Sequence, residues 1–276
     1  MFWLEKLMQR LPHDAAVLVT VLATRGSVPR DAGTWMAVFS TDVLATIGGG
    51  RLEKDAIEYA RVLLSDLNTT PQARRFALGP SLGQCCGGEV HLGFERVAAA
   101  DAAALSHRLA PTHTPVALFG GGHVGQALVR VLALLPVDVR WVDSRDEVFP
   151  SGLPSQIQTE HSDPVEAAVG DLVPGSRVVI MSFSHAEDFA IVAACLQRHR
   201  QQGDLPYIGL IGSKTKWATF RKRLEARGFT PPELAHVTSP IGVNGIDDKR
   251  PEVIAVAAAA QLLQSCTPQP KLPHNC

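Results

Sequence analysis

The sequence predicts an α/β protein in two parts: an N-terminal mixed α+β domain, then a Rossmann-like domain built on a doubly wound parallel sheet. Three observations predict it. Beyond residue 115, strand-length apolar runs alternate with helical stretches, the pattern of parallel strands covered by helices. The run Gly120-Gly121-Gly122-His123-Val124-Gly125 fits G-x-G-x-x-G at the first strand-to-helix junction of this half. Upstream, Pro111-Thr112-His113-Thr114-Pro115 reads as a linker, two prolines bracketing polar residues. The domains are therefore read as 1–110 and 111–266, followed by a proline-rich tail at 267–276 expected to be disordered.

In the first half, a helix is predicted at about 2–10, a strand at 16–23 and a hairpin of strands at 34–39 and 43–47. Gly48-Gly49-Gly50 then opens a helix from 51 to 64, in which Leu52, Ala56, Ile57, Ala60, Leu63 and Leu64 recur at helical spacing. Strands at 73–78 and 89–96 flank the segment Gly79–Gly88, and a short helix runs to Leu109. In the second half, strands are predicted at 115–119, 137–142, 155–159, 177–182, 206–211 and 235–238. Helices are predicted at 123–135, 164–170, 186–200, 214–227 and 251–264.

The chain has 276 residues, of which 46% are hydrophobic and 19% charged, enough to bury a core without cross-links. The net charge of −1 provides no global positive field for a polyanion, so no nucleic-acid partner is expected. Charges at Glu5, Lys6 and Arg10 interrupt any signal-peptide core, and no apolar run approaches the roughly 20 residues of a bilayer span. Five cysteines, two of them adjacent, make a poor disulfide framework. A cytoplasmic, reducing location without a membrane partner is the expectation, and a homodimer is the commonest closed assembly.

Four groups carry candidate chemistry. In the glycine loop, Gly120 suits the tight turn, Gly122 the approach of a pyrophosphate, and Gly125 helix–sheet packing. His123 opens the helix whose free N–H groups attract phosphate, and Asp143, 21 residues after Gly122, is placed to accept a ribose hydroxyl. The same fold also occurs with an empty nucleotide pocket. Gly48, Gly49 and Gly50 form a second glycine turn before a helix, joined by Arg25 and Arg30 from the preceding loop. That turn reads either as an anion cradle or as a ligand-free junction. Gln84-Cys85-Cys86-Gly87-Gly88 offers thiols flanked by open backbone amides. Adjacent cysteines are poorly spaced for structural zinc; the alternatives are contact with a soft metal, sulfur carriage, or inert burial. At predicted strand ends stand His185, as acid, base or hydrogen-bonding group, and Lys214, which opens a basic helix with Lys216, Arg221, Lys222, Arg223 and Arg227. Cys195 falls in an apolar helix and reads as core.

In order, Gly26-Ser27-Val28-Pro29-Arg30-Asp31-Ala32-Gly33, Gly48-Gly49-Gly50-Arg51-Leu52-Glu53 and Leu82–Gly88 occupy the first half. Phe119–Gly125, Trp141-Val142-Asp143-Ser144-Arg145, Ser184-His185, Ile211-Gly212-Ser213-Lys214 and Ser239-Pro240-Ile241-Gly242 occupy the second. This series resembles the xanthine dehydrogenase accessory protein family, of the XdhC/CoxI type, over residues 15 to 265. The resemblance implies a chaperone that binds the molybdenum cofactor (molybdopterin), supports exchange of its oxo ligand for sulfido, and hands it to a xanthine dehydrogenase-type hydroxylase. It also implies a cysteine desulfurase as sulfur donor. By position it places Gln84, Cys85 and Cys86 near the molybdenum, the two thiols as its contacts, with Gly48–Gly50 and the Gly120–Gly125 loop as further cofactor or nucleotide contacts. One departure is Asp247-Asp248-Lys249, where the family often has glycines; two carboxylates beside an anion are unfavourable unless they face solvent. The other readings are an NAD(P)-dependent oxidoreductase and a nucleotide-binding module without chemistry.

Overall fold

The computed structural model describes residues 2–66, 68, 70–78, 88–110 and 113–266. The segment holding Gln84, Cys85 and Cys86, most of the expected linker's first half and the 267–276 tail lie outside them. The chain divides into two compact units, Met1–Pro111 and Thr112–Cys276.

The first unit contains α1 (Phe2–Arg10), β1 (Ala16–Arg25), β2 (Trp35–Val38), β3 (Val43–Ala45), α2 (Gly50–Ser65), β4 (Arg74–Ala77), β5 (Glu89–Val97) and α3 (Ala102–Arg108). Its antiparallel sheet has the order β3-β2-β1-β5-β4. Both faces are covered, because alternate residues of a strand point to opposite sides. Val17, Val19, Met36 and Val38 pack under Leu52, Ala56, Ala60 and Leu63 of α2. Ala16, Leu18, Ala37 and Phe39 pack against Leu7 of α1 and Leu105 of α3. The helical spacing read in 51–64 is thus the buried stripe of α2.

The second unit contains β6 (Thr114–Phe119), α4 (His123–Leu132), β7 (Val137–Asp143), β8 (Ile157–His161), β9 (Arg177–Ile180), α5 (His185–Gln202), β10 (Tyr207–Leu210), α6 (Lys214–Glu225), α7 (Pro231–Leu234), β11 (Val237–Thr238) and α8 (Pro251–Cys266). All its strand pairs are parallel, in the order β11-β10-β9-β6-β7-β8. This is the Rossmann order, which reverses between β6 and β9 and brings the ends of β6, β7, β9 and β10 to one edge. One face carries α5 and α6 residues such as Phe189, Leu196 and Phe220; the other carries Leu128 of α4 and Ala258 of α8.

Four details differ from expectation. Thr114 and Pro115 belong to β6, so the strand begins inside the stretch read as linker. The helix expected to reach 135 stops at Leu132, as Pro136 disfavours helical backbone at the residue before it. The helix expected at 164–170 is a 3₁₀ segment, Val165–Asp171. The additional helix α7 was signalled by Thr-Pro-Pro-Glu: Glu233 accepts from Thr230 N at 2.7 Å and Thr230 Oγ1 at 2.8 Å.

Candidate ligand-binding sites

In the second unit, Gly120 adopts φ +119°, and a Cβ there would lie 2.0 Å from the carbonyl oxygen of Met181. A Cβ on Gly125 would meet the carbonyl oxygen of Gly120 at 2.1 Å. The two glycines therefore let the loop, β9 and the first turn of α4 interlock. Gly122 has nothing within 4 Å of its Cβ direction and faces open space, as a ligand-approach position requires. A cavity of about 360 Å³ is lined there by Gly121, Gly122, His123, Gln126, Arg145, Glu147 and Val148. His123 is exposed.

Asp143 is buried at the end of β7, and both its oxygens are engaged. Oδ2 accepts from Gly121 N at 2.6 Å and from Arg145 Nη2 at 3.0 Å. Oδ1 accepts from Arg145 N and Nε, each at 2.9 Å. Burial opposes ionisation of this carboxyl, but the hydrogen bonds from Arg145 and Gly121 outweigh it and hold its pKa below the ordinary value. The expectation of an Asp143 carboxylate open to a ribose hydroxyl is corrected: it clamps the glycine loop to Arg145. Arg145 in turn lies 4.7 Å from the exposed Phe183 ring.

At the neighbouring strand ends, Asp188 and Lys216 form a buried ion pair. Asp188 accepts from Ser182 N at 2.9 Å and Ser182 Oγ at 2.7 Å, while Lys216 Nζ also donates to the Ile211 carbonyl at 2.9 Å. Lys214 is exposed, so Lys216, two positions on, is the inward lysine of the helix that the sequence analysis read only as basic. Its signal was a glycine four residues earlier: a Cβ on Gly212 would strike Lys216 Cδ at 2.6 Å. His185 is exposed at the start of α5, edge-on to Phe220 at 6.4 Å. Asp247, Asp248 and Lys249 face solvent, and Asp248 accepts from Arg250 N at 2.8 Å.

In the first unit Arg30 and the glycine turn come together. A Cβ on Gly48 would meet Pro29 Cβ at 2.7 Å and Arg30 Cγ at 3.5 Å, so the Pro29-Arg30 loop lies across the glycine turn. The turn's amides, however, already hold a carboxylate. Glu53 accepts from Ile47 N at 3.0 Å, Gly49 N at 3.1 Å and Thr46 Oγ1 at 2.5 Å. The anion expected in this cradle is supplied by the chain itself, and the turn becomes a scaffold for its neighbours. Beside it opens a cavity of about 660 Å³, bordered by α1, the end of α3, the β2–β3 hairpin and the Arg30–Thr34 loop. The Gln84-Cys85-Cys86 segment lies outside the described residues, but its flanks are placed: Leu78 N donates to Gly88 O at 2.7 Å. Gly88 also packs against the Arg25–Ser27 backbone, where a Cβ would lie 2.2 Å from Ser27 O. Cys195 is buried, which pushes its thiol pKa up. Among the described residues no group of three or more His, Cys, Asp or Glu side chains is arranged to hold a metal.

Residues 10–76 match the XdhC and CoxI family, and residues 116–262 match the XdhC Rossmann domain. The chain belongs to this family. A crystal structure described as a xanthine dehydrogenase from Bacillus halodurans aligns with a TM-score of 0.75 over 98% of both chains. Its 19% identity makes that a likeness of fold. The uncharacterized protein YqeB of Escherichia coli K12 is 26% identical over 252 residues, 90% of this chain. The chain spans 43% of the length of that relative. No helix among the described residues is long and apolar enough to cross a membrane.

Proposed function

We propose that this XdhC family member is an accessory protein that binds the molybdenum cofactor as cargo, holds it during replacement of an oxo by a sulfido ligand, and delivers it to a xanthine dehydrogenase-type hydroxylase. In this reading the chain is a maturation chaperone, and a cysteine desulfurase supplies the sulfur. The observation that carries it is the family match in both halves of the chain, an XdhC and CoxI segment followed by an XdhC Rossmann domain.

The chemistry is compatible with carriage. Cys85 and Cys86 provide thiols for brief contact with a soft metal, and two thiolates are a weaker cage than a four-ligand site, which suits release. The N-terminal amides of α4 suit a phosphate. Asp143, already bound to Arg145, is poorly disposed to read the ribose of a nicotinamide dinucleotide, and this weighs against the oxidoreductase reading.

Co-expression with a hydroxylase partner tests the proposal. Hydroxylase activity is expected to require this chain while the abundance of the hydroxylase polypeptide stays constant. Protein purified from a molybdate-fed host is expected to carry near-stoichiometric molybdenum, reduced several-fold by Cys85→Ala or Cys86→Ala. Tight binding of reduced nicotinamide with turnover and no molybdenum would reject the proposal.

A further inference from the structure

We infer that the cavity at the glycine loop of the second unit binds a nucleotide whose ribose carries a phosphate monoester of its own, and that Arg145 selects it. The cavity, about 360 Å³, is within the range of small-molecule pockets and brings Gly122 and His123 together with Arg145. A Cβ on Gly122 would meet nothing within 4 Å, so the space before the first amides of α4 is open, and those amides suit a 5′-phosphate. The second observation is independent of the helix and lies at the end of β7. In a dinucleotide-binding fold, an open carboxylate at this position reads a ribose hydroxyl, whereas an arginine accommodates a ribose phosphate. Here the Asp143 side chain is 1% exposed and spent on Arg145 and Gly121 N, while the Arg145 side chain is 36% exposed and lines the cavity.

Arg145 meets Asp143 side-on, through Nε at 2.9 Å and Nη2 at 3.0 Å. Its Nη1 donates to no described residue, which leaves the outer edge of the guanidinium for a ligand. The Phe183 ring, 4.7 Å away, steadies the group from one side. Paired N–H donors match a phosphate, and a donor edge already held in place loses little freedom on binding. The contact between Asp143 and Arg145 thus removes the acceptor for a ribose hydroxyl and aims a donor at a ribose phosphate. Glu147 is the one carboxylate in the described lining, and it is exposed, where solvent and salt screen its repulsion. The inference goes beyond the cargo function proposed above and does not rest on it, since this recognition needs no molybdenum.

The test is calorimetric titration of the full-length protein with adenosine 2′,5′-bisphosphate, with adenosine 5′-monophosphate and inorganic phosphate as separate probes. The bisphosphate is expected to bind one-to-one, at least tenfold more tightly than the monophosphate or phosphate alone. Arg145→Ala should abolish that preference: bisphosphate affinity falls at least tenfold, and monophosphate affinity holds or rises as Asp143 is released to accept the ribose hydroxyl. Arg145→Lys keeps a charge on Asp143 but lacks the paired donors, and should cut the preference several-fold. Gly122→Val tests the other end of the site without disturbing the ion pair. Gly122 has φ −69° and ψ −176°, extended backbone that any residue adopts, so a side chain there fills the path of the ligand and spares the fold. Gly122→Val should weaken both nucleotides at least tenfold, and Arg130→Ala, an exposed charge on the same helix, should change neither. Circular dichroism confirms that each variant is folded. Absence of one-to-one binding, equal affinity of the wild type for bisphosphate and monophosphate, or a bisphosphate affinity untouched by Gly122→Val or by both Arg145 variants overturns the inference. Hydroxylase activation is a separate readout: its absence removes the cargo reading and leaves the nucleotide site to these titrations.

Discussion

At the end of β9, one buried carboxylate organises two neighbours: Asp188 takes hydrogen bonds from both donors of Ser182 and the charge of Lys216. The side chains of Asp188 and Lys216 are 3% and 9% exposed, so each charge depends on the other. Removing one leaves an uncompensated buried charge. Lys216→Met is expected to cost about 3–5 kcal/mol in urea unfolding. Asp188→Leu with Lys216→Met should be less damaging than Lys216→Met alone, because the desolvation of both charges disappears with the pair. A double variant as unstable as the sum of the singles would show that the two residues act independently. Asp143 and Arg145 follow the same logic at the end of β7, where a residue type associated with ribose recognition serves the loop instead.

Between elements, α5 meets the segment joining α7 to β11 through two stacked imidazoles. The His199 and His236 rings lie 3.8 Å apart at an interplanar angle of 17°. His236 Nε2 donates to the Leu205 carbonyl at 2.6 Å, and His199 Nδ1 is buried without a hydrogen-bond partner among the described residues. Burial, then the neighbouring His236, lowers the pKa of His199 from 6.5, while Asp204, the Leu205 backbone and Glu233 pull the other way. A histidine that is harder to protonate when folded binds more protons when unfolded. The His199 contribution to stability is therefore present above pH 6.5 and is lost as the pH falls through that value towards the lower folded-state pKa. Urea midpoints are expected to drop between pH 7 and pH 5, and His199→Phe should flatten that drop. An unchanged slope in His199→Phe would assign the pH dependence to other groups.

Over the whole molecule, the apolar clusters respect the division into two units. Two clusters lie within residues 7–105 and two within 116–262. Phe39 and Phe119 are fully buried, one in each unit. Phe39→Ala and Phe119→Ala are each expected to cost about 3–5 kcal/mol, since each leaves a large cavity. Differential scanning calorimetry should show each substitution lowering its own unit's transition by much more than the other. Equal shifts of a single transition would mean that the two units unfold together.

The amino-acid sequence by itself determined the class of each half. Strand-length apolar runs, the helical stripe Leu52–Leu63 and the strand–glycine–helix junction at Gly120 are local patterns, set by backbone geometry and periodicity, and they survive folding unchanged. Arg30 beside the Gly48 turn was legible for a related reason, as both stand in turn-rich loops flanking one hairpin. Tertiary structure alone decided which polar groups remain open. Glu53 reaches back to fill the glycine turn, Arg145 closes on Asp143, and Lys216 rather than Lys214 turns inward. A residue's type states which bonds it can make, but its occupancy depends on partners that only the folded chain brings within about 3 Å.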